Sequence, residues 1–317
     1  MQKKSDFKYI FGPVISRRLG ISLGIDIVPP KTCTMNCVYC EAGRTTLLTT
    51  KRKEFFPITE IKEEIENILS QKPKIDFLTF SGSGEPTLYL KLGELINWLK
   101  EKYPSQKICL LTNGTLIGYN GMPQELKNLD LIIPSLDASD ENSFQKINRP
   151  VEELTHKKLI SSIKNFRIQN KCQMWLELFV VPGVNDTDQS IANFAKIISE
   201  INPDKIQLNG LDRPGVEKWV KKPEKNILEK FVNALKDIAP VEIIVRQNIP
   251  DYKSSIELQM GNISNLLSKR PCTFEEIQKI FSLSDNELNQ VIQELISLNE
   301  FEIEENQSGK FIKRKNH

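Results

Sequence analysis

Three cysteines in one short stretch constrain this chain more than any other feature. Cys33, Cys37 and Cys40 lie in the run KTCTMNCVYC, with three and then two residues between them. Thiolate is a soft ligand that suits iron–sulfur clusters, zinc or cuprous copper. A structural zinc site normally takes four protein ligands, often as two Cys-x-x-Cys pairs. Here three cysteines share one loop and no fourth is near in sequence. A cubane [4Fe–4S] cluster held by three thiolates keeps one iron without a protein ligand, and that iron can bind a small molecule. Part of a zinc knuckle, or three unrelated core thiols, are the competing readings of the same residues.

The spacing Cys-x3-Cys-x2-Cys, with the aromatic Tyr39 before the last cysteine, resembles the radical S-adenosylmethionine (SAM) superfamily. That resemblance implies that the open iron chelates the amino and carboxylate groups of SAM. It further implies that one electron from the reduced cluster breaks the C5′–S bond, and that the 5′-deoxyadenosyl radical takes a hydrogen atom from a substrate. Carried over residue by residue, Cys33, Cys37 and Cys40 match the cluster ligands and Tyr39 the aromatic beside the cofactor. The longer run from Phe11 to Gly43, which begins FGPVISRRLG, is similar to one branch of that superfamily, distantly allied to the tRNA wyosine-synthesis enzymes.

At 317 residues the chain can bury a large core and is expected to hold more than one domain. Its 39% apolar and 26% charged residues are those of a soluble globular protein. A net charge of +2 gives no argument for nucleic acid. The first eleven residues carry lysines with no long apolar run behind them, so neither a signal peptide nor a membrane span is expected. The six cysteines do not suggest a disulfide framework, and reduced thiols holding a cluster fit a cytoplasmic location.

Hydrophobic periodicity divides the chain into alternating elements. Residues 11–30 read as turns around one apolar strand at 21–28, stopped by Pro29-Pro30 before the cysteine loop. Helical spacing follows at 57–71, 89–101, 139–147, 152–168, 187–201 and 225–238. Strands are expected at 75–80, 107–112, 130–136, 173–181, 205–208 and 241–246. Strand–helix alternation with short turns gives right-handed parallel units. Six such units suggest an α/β barrel, open or closed, and the resemblance implies a partial (β/α)6 parallel barrel. In such a fold the active site is built from loops at the carboxyl ends of the strands.

Those strand ends carry polar groups in succession. After 75–80 comes SGSGEPT, where Gly84 and Glu85 resemble the superfamily's Gly-Gly-Glu motif for the amino group of SAM. Ser83 departs from the double glycine there, with Gly82 a candidate replacement. After 107–112 comes Asn113, expected either to touch SAM or simply to make an Asn-Gly turn. Alternation points Ser135 and Asp137 to one side, where they suit the ribose or carboxylate of SAM. Val184, in the VPGVND loop after 173–181, resembles the residue set against adenine. Gln207 and Asn209 share one strand face toward the substrate space, and Asp212 and Arg213 follow in a substrate-side loop. Those two read equally as an ion pair that stiffens the loop. Arg149 is expected to hold an anion or to lie on the surface. Arg17 and Arg18 read as guanidinium forks for a carboxylate or phosphate, or as a solvated basic turn. Glu177, among apolar residues, must be paired or functional if it points inward.

Residues 247–255 break the pattern and read as a linker between a catalytic domain at 1–246 and a small domain at 256–317. Two capping boxes, at Thr273–Glu276 and Ser284–Glu287, precede helices, and the segment from Phe301 onward reads as a hairpin. Helices followed by a hairpin suggest a winged-helix-like domain. Its residues from 259 onward include seven basic and nine acidic side chains, and the helix expected to read DNA carries Asp285, Glu287 and Glu294. Phosphate contacts need basic side chains there, so a lid or protein-contact role is favoured over DNA binding.

Two functions from different classes follow. One is a radical SAM enzyme with a flavodoxin or ferredoxin as electron donor; its substrate is a tRNA base by analogy, with a protein or peptide as runner-up. The other is a non-catalytic iron–sulfur sensor that binds DNA through the appended domain. The sensor does not explain the polar residues at successive strand ends.

Overall fold

The computed structural model describes residues 7–244, 260–297 and 299–315. It begins with an antiparallel hairpin, β1 (Ile10–Ser16) and β2 (Gly20–Ile25). A short parallel pair, β3 (Thr32–Cys33) and β4 (Leu47–Leu48), then closes the ends of the cysteine loop. There follow α1 (Ile58–Leu69), β5 (Phe77–Phe80), α2 (Leu92–Lys102), β6 (Lys107–Thr112), α3 (Met122–Glu125) and β7 (Leu131–Pro134). Next come α4 (Glu141–Ile147), α5 (His156–Gln169), β8 (Gln173–Phe179), α6 (Asp188–Ile201), β9 (Lys205–Asn209), α7 (Lys225–Leu235) and β10 (Val241–Ile243). Among the described residues these strands form one eight-stranded sheet in the order β1-β2-β5-β6-β7-β8-β9-β10. Every pairing from β2 to β10 is parallel. The expected α/β architecture with a parallel sheet is therefore present.

Local chemistry sets the elements. In α6, Thr187 caps the helix by accepting from the Ser190 backbone, and Asn202 ends it in the left-handed region. Between those caps Ile191, Phe194, Ile198 and Ile201 recur at helical spacing and are buried. They pack toward α7, where Phe231 meets the Phe194 ring at 5.8 Å between centroids. The sheet strands are buried on both faces, as a parallel sheet covered by helices requires.

Several expected boundaries move. The run read as turns at 11–20 contains β1, whose apolar Phe11 and Val14 are buried against helices more than 240 residues further along the chain. No local pattern carries that information. β7 is regular only to Pro134, not 136, although Ser135 still donates to the Thr112 carbonyl at 3.0 Å and Leu136 to the Glu177 carbonyl at 2.8 Å. β8 stops at Phe179 rather than 181, and β10 at Ile243. The expected linker at 247–255 lies outside the described residues.

The C-terminal segment runs α8 (Met260–Lys269), β11 (Cys272–Thr273), α9 (Phe274–Phe281), α10 (Asp285–Ser297), β12 (Phe301–Asn306) and β13 (Gly309–Arg314). Its three strands pair in the order β11-β13-β12. Its apolar core, including Ile263, Leu266, Ile277 and Ile312, continues into Phe11 and Val14 of β1. Asn265 donates its amide to the carbonyls of Phe7 and Ile10 at 2.9 and 2.8 Å. The segment is thus seated on the sheet's first hairpin. Among the described residues no helix is long and apolar enough to cross a membrane.

Candidate cluster and cofactor site

The cysteine loop is built by hydrogen bonds to segments far away in sequence. Its backbone follows the stretch after α4, with Asn36 and Val38 donating to the carbonyls of Asn148 and Ile147 at 2.9 Å. Val151 returns a bond to the Thr34 carbonyl at 3.0 Å. Within the loop, Asn36 Oδ1 accepts from the Thr45 backbone, and Thr45 Oγ1 donates to the Met35 carbonyl.

Each of the three sulfurs receives a donor from a different segment. Asn113 Nδ2 lies 3.5 Å from Cys33 Sγ, Asn148 Nδ2 lies 3.5 Å from Cys37 Sγ, and Lys31 Nζ lies 3.2 Å from Cys40 Sγ. Donors to thiolate sulfur stabilise its negative charge and tune any iron it holds. Burial pushes the Cys33 thiol up to about 12, with Glu85 adding to the effect. Burial raises Cys37 well above the ordinary thiol range, with Asp137 next in effect. Such thiols lose their protons only to a strong local positive charge, which iron supplies. Among the described residues no three His, Cys, Asp or Glu side chains close on a single ion. A cluster that interposes its own irons and sulfides holds thiolates further apart than one ion does. Three thiols in one loop, each with its own N–H donor, fit the cubane and leave one iron open.

The Gly84-Glu85 turn lies against this loop. The Glu85 backbone donates to the Thr32 carbonyl at 3.0 Å. A Cβ on Gly84 would stand 2.4 Å from the Thr32 carbonyl oxygen and 2.6 Å from Val28 Cγ2, so no side chain is tolerated. Gly82 has φ +155°, and a Cβ there would meet the Asp26 carboxylate. Ser83 fits where a second glycine was expected because its hydroxyl turns down to Asp26 Oδ2 at 2.8 Å.

Several residues expected to meet the cofactor are engaged internally instead. Glu85 is 2% exposed and accepts from the Thr87 backbone, Thr87 Oγ1, Thr112 Oγ1 and the Asn113 backbone. Its carboxylate is a brace for two loops, raised by burial and held back by those donors. Asn113 Nδ2 donates to Thr34 Oγ1 at 2.7 Å as well as to Cys33, and its Oδ1 accepts from the Thr115 backbone and hydroxyl. Asp137 is 1% exposed and accepts from Tyr39 Oη at 2.5 Å, Asn148 Nδ2 at 2.9 Å and the Phe179 backbone at 3.0 Å. Burial raises it to about 6. Those three donors hold Asp137 inside the protein, away from the cavity. Ser135 does line the cavity described below, near Glu177.

Tyr39 stacks on Phe179, with centroids 3.8 Å apart and the rings 8° from parallel. Val184 packs in the same apolar cluster, with Val38, Ile147 and Val181. Asn209 donates to Glu177 Oε1 at 2.7 Å and faces the cavity. Gln207 lies deeper, fully buried, donating to Glu242 at 3.1 Å. Arg149, at φ +44°, pairs with Glu217 at 2.7 Å, and Arg44 shares that carboxylate. Arg213 is 3% exposed and bonds Glu276 of α9 at 2.6 Å, so its close ion-pair partner lies in the C-terminal segment and not at Asp212. Asp212 lies 3.5 Å from Arg17.

Sequence reasoning missed Asp26, Lys31, Asn148 and Lys269. A carboxylate between Ile25 and Ile27 was a readable signal for Asp26, since a buried acid needs a partner. That partner, Lys269, stands 2.7 Å away and 243 positions on, where no local pattern points to it.

Inside the carboxyl ends of the strands lies a cavity of about 300 Å³. Tyr39, Cys40 and Phe179 form one side. Lys269 and Arg270, at the end of α8, form part of the other. A parallel sheet with a three-cysteine loop after one strand, glycine-lined turns after the next and a cavity at those strand ends defines a class. The sequence model of the radical SAM superfamily matches residues 27–195, and the chain belongs to that superfamily. Its members use a [4Fe–4S] cluster and SAM.

Within it the chain falls among the UPF0026 proteins. It is 35% identical to one from Methanocaldococcus jannaschii over 72% of this chain and 71% of that protein. It is 32% identical to another, from Helicobacter pylori, over 84% of this chain and 86% of that one. A Brachyspira hyodysenteriae protein named GTPase Obg is 33% identical over 93% of this chain. The chain spans 43% of that longer protein, and the name describes that protein. Among solved structures, a radical SAM methyltransferase from Sphaerobacter thermophilus superposes with a TM-score of 0.54 at 14% identity, covering 72% of this chain and 67% of its own. TYW1 with a lysine–pyruvate adduct bound gives 0.51 at 17% identity, covering 72% and 76%. These two share the fold.

Proposed function

We propose that this protein is an enzyme that cleaves SAM reductively and passes the radical to a substrate. The observation that carries the reading is the set of three cysteine sulfurs, each met by its own N–H donor, at the carboxyl ends of a parallel sheet. When bound there, the cluster supplies the electron that splits SAM into methionine and a 5′-deoxyadenosyl radical. Cys33, Cys37 and Cys40 are its ligands. Asn113, Asn148 and Lys31 set the charge on those sulfurs. The backbone of Gly84 meets the amino group of SAM, and Glu85 fixes that backbone rather than pairing with the ligand. Asp137 locks the Tyr39 ring against Phe179, which leaves an aromatic wall beside the cofactor. Ser135 and Val184 complete that side; Asn209, with Gln207 behind it, forms the floor.

We read the chain as a partial barrel at 1–246, a linker at 247–255 and a winged-helix-like unit at 256–317. The order helix, strand, two helices, hairpin supports the last reading. Contacts of that unit with β1, Asp26 and Arg213 support a roof over the cavity rather than a DNA reader. A flavodoxin or ferredoxin serves as electron donor, and the protein works in the cytoplasm. An RNA base is the substrate by analogy. Support comes from the shared fold with TYW1 and a 24% match to the Lawsonia intracellularis protein named dual-specificity RNA methyltransferase RlmN. A protein or peptide is the runner-up.

The test is anaerobic reconstitution, reduction with dithionite and addition of SAM. Deoxyadenosine is expected from wild type and not from Cys37→Ala. A reducible cluster that ignores SAM would overturn the reading.

A further inference from the structure

Five cations from three segments converge on the cavity beside Cys40. They are Arg17 and Arg18 from the turn between β1 and β2, Arg213 after β9, and Lys269 and Arg270 at the end of α8. Two have close partners: Arg18 lies 2.9 Å from Glu177, and Lys269 lies 2.7 Å from Asp26. The other three are incompletely used. Arg17 reaches Asp212 only at 3.5 Å and Glu41 at 3.7 Å. Arg270 reaches Glu276 only at 3.7 Å. Arg213 bonds Glu276 closely through Nη2 but meets Glu41 at 3.5 Å through Nη1.

The consequence is a set of idle donors. Arg17 Nη1, Arg213 Nε and both Nε and Nη2 of Arg270 are buried without a hydrogen-bond partner among the described residues, as is Arg18 Nη1, which has only its ion pair with Glu177. A buried donor left unmade costs about 1–3 kcal/mol, and more when charged. Guanidinium forks match carboxylate and phosphate oxygens in pairs. Arg17 also sits below its ordinary range, first through burial and then through the neighbouring charge of Arg213, and an anion would relieve both. The arginine-lined part of the cavity suits a small anionic group and not a duplex.

We propose that the arginine-lined part of this cavity, with the cofactor at the Tyr39 and Phe179 side, takes the phosphate or carboxylate group of the substrate, held by Arg17, Arg213 and Arg270. The substrate is then gripped by the sheet and the C-terminal unit together. This rests on the reading above only in naming the bound molecule as the substrate of the radical step.

The test uses cluster-loaded wild-type protein under anaerobic conditions, titrated calorimetrically with inorganic phosphate, pyrophosphate and succinate, with and without saturating SAM. One anion class is expected to bind, and to bind with SAM present. Preference for the phosphates assigns a phosphate group; preference for succinate assigns a carboxylate. Arg270→Gln and Arg17→Gln, in separate units, should each weaken binding tenfold or more, with Arg270→Lys intermediate because it keeps charge but not the fork. Absence of binding by all three anions, unchanged affinity in both glutamine variants, or displacement by SAM overturns the proposal. Deoxyadenosine is assayed on the same wild-type sample. Anion binding without deoxyadenosine keeps this inference and overturns the radical reading; deoxyadenosine without anion binding does the reverse.

Discussion

The ammonium of Lys269 sits 2.7 Å from the carboxylate of Asp26, joining the last turn of α8 to the strand exit that feeds the cysteine loop. The same carboxylate oxygen accepts from the Ser83 hydroxyl and backbone, at 2.8 and 3.2 Å. One buried acid therefore ties the roof of the cavity to the turn that carries Gly84. Removing one member of such a pair leaves an uncompensated charge, which costs about 3–5 kcal/mol. Lys269→Met is expected to lose about that much in urea unfolding. The double variant with Asp26→Asn should recover most of the loss. A single variant as stable as wild type would show the pair to be idle.

Gly84→Ala tests the close approach of the two loops. A Cβ there would press on the Thr32 carbonyl oxygen at 2.4 Å and on Val28 Cγ2 at 2.6 Å, so the two loops would have to part. Misplacing reacting groups by about 1 Å costs on the order of a hundredfold in rate. Deoxyadenosine formation by reconstituted, dithionite-reduced protein should slow by about that factor. An unchanged rate would free the Gly84 backbone from any role at the ligand.

Acid should unseat the C-terminal unit. Burial acts to raise Glu276, yet Arg213 and then Arg270 hold its carboxyl at about 2, well below an ordinary glutamate. A depressed folded-state value means that the unfolded chain binds the extra proton. The stability from this group is therefore present above pH 4.5 and lost as pH falls toward 2. Its size is on the order of 3 kcal/mol. Glu276→Gln should be less stable at pH 7 and lose less between pH 5 and pH 3 than wild type, read by urea unfolding at each pH. Parallel pH profiles would contradict this.

The amide donors to sulfur should set the cluster's potential. Asn148 Nδ2 lies 3.5 Å from Cys37 Sγ. Donors to sulfur favour the reduced, more negative state. Asn148→Ala is expected to shift the reduction potential to more negative values, by tens of millivolts for a difference on the order of 1 kcal/mol between oxidation states. Redox titration followed by electron paramagnetic resonance reads this directly. A shift to more positive values would overturn it.

What the sequence disclosed was local. The cysteine spacing, the alternation of strands with helices and the glycine-rich turn at 82–84 each depend on residues a few positions apart. The structure adds what distance in sequence hides. Asp137 looked like a ligand contact until Tyr39, Asn148 and the Phe179 backbone were placed around its carboxylate. β1 looked like a turn because Phe11 and Val14 find their apolar partners in α8 and α9. The partner of Arg213, Glu276, lies 63 positions further on, beyond the reach of any local pattern. Arg17 and Arg18, a basic turn by sequence, lie in the wall of a cavity whose other wall begins at residue 269.

The seat of the C-terminal unit combines two kinds of contact. The apolar surfaces around Phe11, Val14, Ile263 and Leu266 attract without direction and would allow one element to slide across the other. The pairs Lys269–Asp26 and Arg213–Glu276 are nearly dry and lose their partner energy within about an ångström of slippage. Grease supplies the adhesion and charge supplies the key. A homologous unit with the same oily face but other charges would stick to this sheet, yet would not come to rest in the same register, and the chamber beneath it would have a different shape.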